Sequence, residues 1–547
     1  MKLLVSSLLM AVFTANPLSA RTLAEAAALE AKELKAGCIV TAERIGDDVK
    51  FAIAGKAPEA KGTPPEQIVF EIGSITKVFT GLLLAQAVVE KKVTLETTVG
   101  SVLGSETKFA DPRVAAITLE QLSMHTSGLP RMPTNAAAGM VEGDPYAKYD
   151  EKLLFAYITS AKLEGEGPYS SSYSNVGVGL LGHLLGKVFQ TTWEDAVTKK
   201  ICLPLGLNDT AVEPAKLPRA TPHAGAEEVK PWHLAAMAGA GALRSNAADM
   251  MTFGEALLHP EKTPLKDAFA IALKPHAEAP SLGGQIGLGV FLTRTNGDFT
   301  LTHDGGTGGF CSGLQVIPAK GIVRVALISN NSVGGSAVIT GTSDVKAPPA
   351  KEQKEIALPA ETMKQYPGVY ELDRDSRFTV VLHDDKLWVR LTGQTFLPAL
   401  AKAPDRFFNM AVAAEIGFNR DSKEHKLESL TLYQNGRELT AKRAGDAPNV
   451  TLRTAKELQP YAGEYALMGL KKLTVTVLAD TLFAQLDGQE VAPVFETSAD
   501  RFEYDVVKAA LVFTRDDKKQ INGLMLQQNG LTISAARVMS PTSDPKK

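Results

Sequence analysis

The chain has 547 residues, enough for about three domains, and its 44% apolar and 22% charged content excludes a disordered or collagen-like chain. Lys plus Arg number 58 and Asp plus Glu 61, a net charge of −3 that leaves no basic excess for a nucleic-acid partner. Cys38, Cys202 and Cys311 allow one bridge at most, and no CxxC or HExxH occurs, so a disulfide scaffold and the common zinc signatures are excluded too.

In chain order, the first element is an export signal. Lys2 precedes an apolar run from Leu3 to Phe13, too short to span a bilayer as a mature helix. Asn16-Pro17 breaks it, and Leu18-Ser19-Ala20 reads as the cleavage site. Residues 1–20 are therefore set apart from the fold. The mature chain is expected to be periplasmic or secreted, without stable membrane insertion. Thr22 to Leu34 then reads as a helix, and Cys38 to Ala42 and Phe51 to Ala54 as strands. This α/β region runs to residue 340, and the polar, Pro-containing stretch 341–357 reads as a linker.

An internal repeat follows. A shift of 95 positions lays Tyr366, Gly368, Tyr370 and Leu372 on Tyr461, Gly463, Tyr465 and Leu467. The same shift lays Asp405-Arg406-Phe407 on Asp500-Arg501-Phe502, and Phe418 and Arg420 on Phe513 and Arg515. Residues 358–446 and 452–540 are thus two copies of one domain. Phe378–Leu391 and Leu473–Leu486 alternate apolar and polar residues around an Asp-containing turn, a hairpin pattern. Asn435-Gly436 and Asn529-Gly530 suit tight turns. Each copy is expected to form a small antiparallel, lipocalin-like barrel of about eight strands.

Three short motifs carry the chemistry. The first is Ser74-Ile75-Thr76-Lys77. A bare SxxK is weak, and Ser105–Lys108 and Ser343–Lys346 match it too, in polar surroundings. Only Ser74 is followed by a run, Val78 to Val89, that is apolar on nearly every face and so predicts a buried helix. Ser74 then sits at the helix start, where free N–H groups favour developing negative charge. Lys77 lies one turn deeper, where burial would make it a base. The second motif is Tyr173-Ser174-Asn175, expected in an extended loop that points both polar side chains into one cleft. Tyr433-Gln434-Asn435 shows how common that pattern is. The third is His303-Asp304-Gly305-Gly306, whose glycines, continued at 308 and 309, permit close approach of backbone to ligand. His223-Ala224-Gly225 matches only its shorter form. His125 is expected to pack or bind backbone at a turn. Trp232 and His233 could line a cleft, though tryptophan is more often core.

In order, FEIGSITKVFTGLLL, ITLEQLSMHTSGLP, YSNVGVGLLG and PLGLNDT resemble segments of class C β-lactamases and the related penicillin-recognising serine hydrolases. The resemblance covers roughly residues 25–340. It implies an antiparallel sheet flanked by helices, an all-helical lobe, and an active site between them. By the same resemblance Ser74 is the acylated nucleophile and Lys77 its base partner. Tyr173 is the proton shuttle, Asn175 a substrate-amide contact, and His303 and Gly305 stand in the place of the family's Lys-Thr-Gly strand. The N–H groups of Ser74 and Gly306 would form an oxyanion hole, each donor supplying ~3–4 kcal/mol to the transition state. His303 replaces a lysine whose fixed charge serves β-lactam carboxylates, and Asp304 replaces a hydroxyl residue. Both changes argue against efficient β-lactam hydrolysis. A catalytic domain followed by two small barrels resembles the D-aminopeptidase branch, in which barrel loops can select free amino termini. The expected activity is a peptidase or aminopeptidase acting on D-amino-acid peptides or amides through acyl-Ser74. The same residues also fit a carboxylesterase or weak β-lactam hydrolase, or a penicillin-binding protein without turnover. No cofactor or metal is implied, and the partner is a small-molecule or peptide substrate.

Overall fold

A computed structural model of the protein describes residues 21–214, 217–295, 298–342, 354–374, 376–410, 414–434, 437–467, 472–486, 491–528 and 530–538. Residues 1–20, read as an export signal, most of the stretch read as a linker, Asn435-Gly436 and Asn529 lie outside the described residues. The described residues form two units, one on residues 21–342 and one from residue 354 onward. Among the described residues no helix is long and apolar enough to cross a membrane.

The first unit is built on an eight-stranded antiparallel sheet. Its strands are β1 (Cys38–Ile45), β2 (Asp48–Gly55), β3 (Ala277–Ala279), β4 (Gly284–Ile286), β5 (Phe291–Thr295), β6 (Asp298–Gly306), β7 (Cys311–Ile317) and β8 (Ile322–Ile328). Their order across the sheet is β2-β1-β8-β7-β6-β5-β4-β3. The two predicted strands at the start are β1 and β2, longer than expected because the hairpin pairs Ile45 with Asp48 at its closed end. β8 is buried at every position, as a central strand covered on both faces must be. One face is covered by α1 (Leu23–Glu30), where Leu23 and Ala27 meet Ile39, Ala326 and Ile328. Thr22 caps that helix with a capping box to Glu25, and the helix stops short of the expected Leu34. Arg324, buried in β8, donates to Glu43 of β1 at 2.8 Å, so the charge is paired.

The helical lobe centres on α2 (Thr76–Val89) and α3 (Asn175–Phe189). α2 has eleven buried residues of fourteen, which its uniformly apolar sequence requires. Phe79 stacks on Phe253 of α4 (Ala247–Leu258) with centroids 4.1 Å apart, tying the lobe to the sheet's other face. A Cβ on Gly182 of α3 would stand 2.8 Å from the Gly239 Cα, so the segment Ala235–Ala240 lies directly against α3. Cys38, Cys202 and Cys311 form no disulfide among the described residues.

The second unit holds two closed eight-stranded antiparallel barrels, from Gly368–Glu371 to Arg437–Gly445 and from Gly463–Leu467 to Leu531–Arg537. The predicted hairpins form, and Asp384, Asp385, Ala479 and Asp480 all take positive φ at their tips, as a two-residue primed turn demands. The repeated residues do the same work in both copies. Tyr370 and Tyr465 each donate to the carbonyl of the tyrosine four residues earlier, at 2.7 Å. Phe407 and Phe418 cross edge-on at 5.5 Å, and so do Phe502 and Phe513. Arg420 clasps Asp405 at 2.9 Å, and Arg515 clasps Asp500 at 2.6 Å. Side chains fill both interiors.

Candidate active site

The turn carrying Ser74 is anchored from two directions. Phe70–Glu71 pairs with Arg244–Ser245 as a short antiparallel ladder, and Ile72 N donates to Leu243 O at 3.0 Å. Behind it Glu71 and Arg244, both buried, form an ion pair at 3.4 Å, and Glu71 also accepts from Trp232 N at 2.9 Å. From the other side β6 presses on the turn through its glycines. A Cβ on Gly305 would stand 2.0 Å from the Ile72 carbonyl oxygen, and one on Gly73 (φ +50°) would stand 2.6 Å from Gly306 N. Only glycines permit this approach, and it brings the Gly306 amide against the Ser74 turn. Gly305→Ala should therefore push β6 off the nucleophile. The expected result is a drop in kcat/KM of about 100-fold with an unchanged far-UV circular dichroism spectrum.

Ser74 lies half-buried in a single 3-10 turn, Gly73–Ile75, that leads into α2. Lys77 follows in the first turn of α2 and is fully buried. Its Nζ bonds Ser74 Oγ at 2.9 Å and the Ala240 carbonyl at 2.6 Å. That carbonyl is held in place because Thr80 Oγ1 donates to the neighbouring Gly239 oxygen at 2.7 Å. Burial drives the Lys77 pKa well below the ordinary lysine range, and the positive Arg131 adds to the shift. Lys77 is thus a neutral amine aimed at the serine hydroxyl.

Tyr173 and Asn175 straddle a helix start rather than sharing an extended loop. Ser174 is the N-cap of α3 and Asn175 its first residue, with Ser174 Oγ accepting from Gly177 N at 2.9 Å. The difference has a physical cause: Ser is a strong N-cap, and the apolar period begins immediately after it. The Tyr173 ring lies 4.9 Å from Lys77 Nζ. Burial raises its phenol to about 12, against the opposing hydrogen bond from Ser74 and charge of Arg131. Asn175 N donates to Arg131 O at 2.9 Å, and its side-chain amide reaches Met132 Sδ at 3.5 Å.

His303 points from β6 into the same cluster, 2% exposed, stacked on Phe291 at 4.5 Å and 6.5 Å from the Tyr173 ring. Its Nδ1 is 2.7 Å from the Asp304 carbonyl, so Nδ1 carries the proton and Nε2 is an acceptor. Nε2 is buried without a partner among the described residues. Burial lowers the pKa to about 3, so the ring is neutral near pH 7. Asp304 alternates to the other face of β6, where it bonds Ser336 of α5 (Gly335–Thr340).

Ser74, Lys77, Tyr173, His303, Gly305 and Gly306 therefore gather around one point, while the contacts of Asn175 run to Arg131 and Met132. His125 supports it from a left-handed turn (φ +61°): its Nδ1 accepts from Ser174 N at 3.1 Å, and its ring lies 4.5 Å from Tyr173. Trp232 is core-like at 7% exposure and meets Tyr146 edge-on, while His233 bonds Asp144 at 2.7 Å. Sequence reasoning missed three contributors. The Ala240 carbonyl leaves no trace in residue identity. Glu71 stands inside one of the quoted segments, but its pairing with Arg244 needs the fold. Arg131, just past another quoted segment, was passed over.

Comparison with known proteins follows the same division. The Beta-lactamase family profile matches residues 29–345, and a Domain of unknown function (DUF3471) matches 352–443 and again 447–538. The chain is 29% identical to Penicillin-binding protein 4 of Amycolatopsis lactamdurans, over 49% of this chain and 74% of that one. It is 26% identical to the D-alanyl-D-alanine-carboxypeptidase/endopeptidase AmpH of Escherichia coli K12, over 52% of this chain and 77% of the relative. Penicillin-binding protein 4* of Bacillus subtilis 168 is 24% identical over 68% of this chain and 87% of its own. A solved class C beta lactamase from Rhodobacter sphaeroides covers 58% of this chain and 96% of its own, at 22% identity and a TM-score of 0.48.

Proposed function

Through residues 29–345 the chain belongs to the Beta-lactamase family of serine hydrolases, and on that footing we propose that it cleaves amide bonds next to D-amino acids in peptidoglycan fragments or small peptides. The observation that carries the reading is the neutral Lys77 held 2.9 Å from Ser74 Oγ. Lys77 takes the Ser74 proton as Oγ attacks the scissile carbonyl carbon. The N–H groups of Ser74 and Gly306 receive the developing oxyanion. Tyr173, which keeps its proton near pH 7, hands it to the departing amine and is reprotonated from Lys77. A water molecule then opens the acyl-Ser74 ester by the same groups in reverse.

The neutral His303 supports a peptidase over a β-lactamase, because it offers no fixed cation where the antibiotic's carboxylate would sit. The relatives named above as a D-alanyl-D-alanine carboxypeptidase and as penicillin-binding proteins point to D-amino-acid substrates. A narrower form of the proposal is a D-aminopeptidase in which barrel loops select the free amine. The leader pattern at residues 1–20 supports a periplasmic or secreted location for this activity. The test is p-nitroaniline release by the purified full chain from D-alanine and L-alanine p-nitroanilides and from their N-acetyl forms. Release from D substrates alone is expected, and a requirement for the free amine would establish the narrower form. Equal release from both enantiomers would overturn the D-peptide reading.

A further inference from the structure

We propose that Arg131 is the carboxylate anchor of this site and makes it selective for anionic substrates. The inference rests on the acyl-Ser74 reading above and adds the substrate's charge to it.

The position held by lysine in β-lactamases is a neutral imidazole here, and the base Lys77 is neutral as well. His125, the other basic group against Tyr173, is held neutral by burial. Arg131 keeps its charge, as a guanidinium does at any ordinary pH. Its Cζ lies 5.0 Å from the centroid of the same Tyr173 ring that Lys77 Nζ approaches at 4.9 Å. The two groups are therefore at most about 10 Å apart, roughly three residues of extended peptide. A peptide acylating Ser74 can reach Arg131 within its own length.

The backbone at Arg131 is fixed. Its carbonyl accepts from both Asn175 N (2.9 Å) and Val176 N (3.3 Å), and the carbonyl of Pro130 accepts from Ser174 Oγ at 2.7 Å. The side chain is half-buried. Among the described residues it makes no ion pair and no side-chain hydrogen bond, in contrast to three other arginines of this unit. Arg113 is paired with Asp111, Arg244 with Glu71 and Glu213, and Arg324 with Glu43. Asp304, the carboxylate next to His303 on β6, is bonded to Ser336. A planar fork of donors lying free beside the nucleophile's proton shuttle is matched by a carboxylate, which accepts it bidentately. An ammonium group in the same place would be repelled. The carboxylate could be the substrate's C-terminal group, on the leaving side, or one carried by the acyl part.

The test uses the full chain with p-nitrophenyl acetate as a neutral reporter substrate. Three peptides serve as competitors: N-acetyl-D-Ala-D-Ala with a free carboxylate, its C-terminal amide, and N-succinyl-D-Ala-D-Ala amide. In Arg131→Ala the inhibition constant of a carboxylate peptide should rise about 10- to 100-fold. That of the neutral amide should stay within about twofold, and Arg131→Lys should recover part of the loss. A rise confined to the free C-terminal acid places the anchor on the leaving side, and one confined to the succinyl peptide on the acyl side. Equal effects on charged and neutral peptides, or none on either, would overturn the proposal. Failure of the underlying reading looks different: the wild-type chain would then form no acetyl adduct on Ser74 with the ester, by peptide mass.

Discussion

Ser74→Ala should lose hydrolysis of every substrate, ester or amide, by about five to six powers of ten in kcat. The magnitude follows from the way the site is assembled. Lys77 and Tyr173 both bond the single oxygen of the Ser74 side chain. When that oxygen is removed, the base and the shuttle have nothing to act on. Ser74 is only half-buried and its hydroxyl meets the Lys77 amine and the Tyr173 phenol, groups held by other packing, so truncation should leave the fold intact. Steady-state rates with intact-mass detection of the acyl adduct check both points. Activity that persisted in the variant, or an adduct on another residue, would remove Ser74 from the mechanism.

The second large effect is expected at Lys77. Lys77→Met keeps the volume and the apolar surroundings of this buried position but deletes the base, and kcat should fall about 10³- to 10⁴-fold. The pH dependence carries the sign of the burial. The folded-state pKa of Lys77 lies well below its unfolded value. The active, neutral amine is therefore present above the folded pKa, and kcat/KM falls as pH drops through it. Over the window between the folded and unfolded values the unfolded chain binds more protons, so stability rises with pH there. The acid limb of the kcat/KM profile should be governed by Lys77 and not by His303, whose pKa is lowered to about 3. Lys77→Arg, which cannot lose its proton, should be as inactive as the methionine variant. An unchanged acid limb in His303→Gln, against loss of activity in both Lys77 variants, is the expected pattern. An acid limb that moved with His303 would make the imidazole the titrating group.

Several features were legible in the sequence for plain physical reasons. The barrel pair was readable because two copies of one domain keep the same residues at the same tasks. Tyr366 and Tyr461, Asp405 and Asp500, Arg420 and Arg515 hold equivalent places in the two barrels. The strand pairs were readable from period-two alternation, and helix α2 from a run with no polar face to expose. The local structure at Tyr173-Ser174-Asn175 was misjudged because Ser174 acts as a helix cap, and capping outweighed the extended geometry assigned to the motif.

What the sequence determined by itself was local and periodic: the repeat, the hairpin turns, the buried helix, and a serine three residues before a lysine at its start. Those features depend on neighbours along the chain, and residue identity is enough to read them. The tertiary structure alone decided the electrostatics of the site. Lys77 is neutral because residues 239–240 close over it from far along the chain, and His303 is neutral because Phe291 and the cluster exclude water from it. Arg131 is brought against the Tyr173 ring, with no ion pair among the described residues, by the fold and not by its neighbours in sequence. A charge state depends on what surrounds a group in three dimensions, and those surroundings come from segments more than a hundred residues apart.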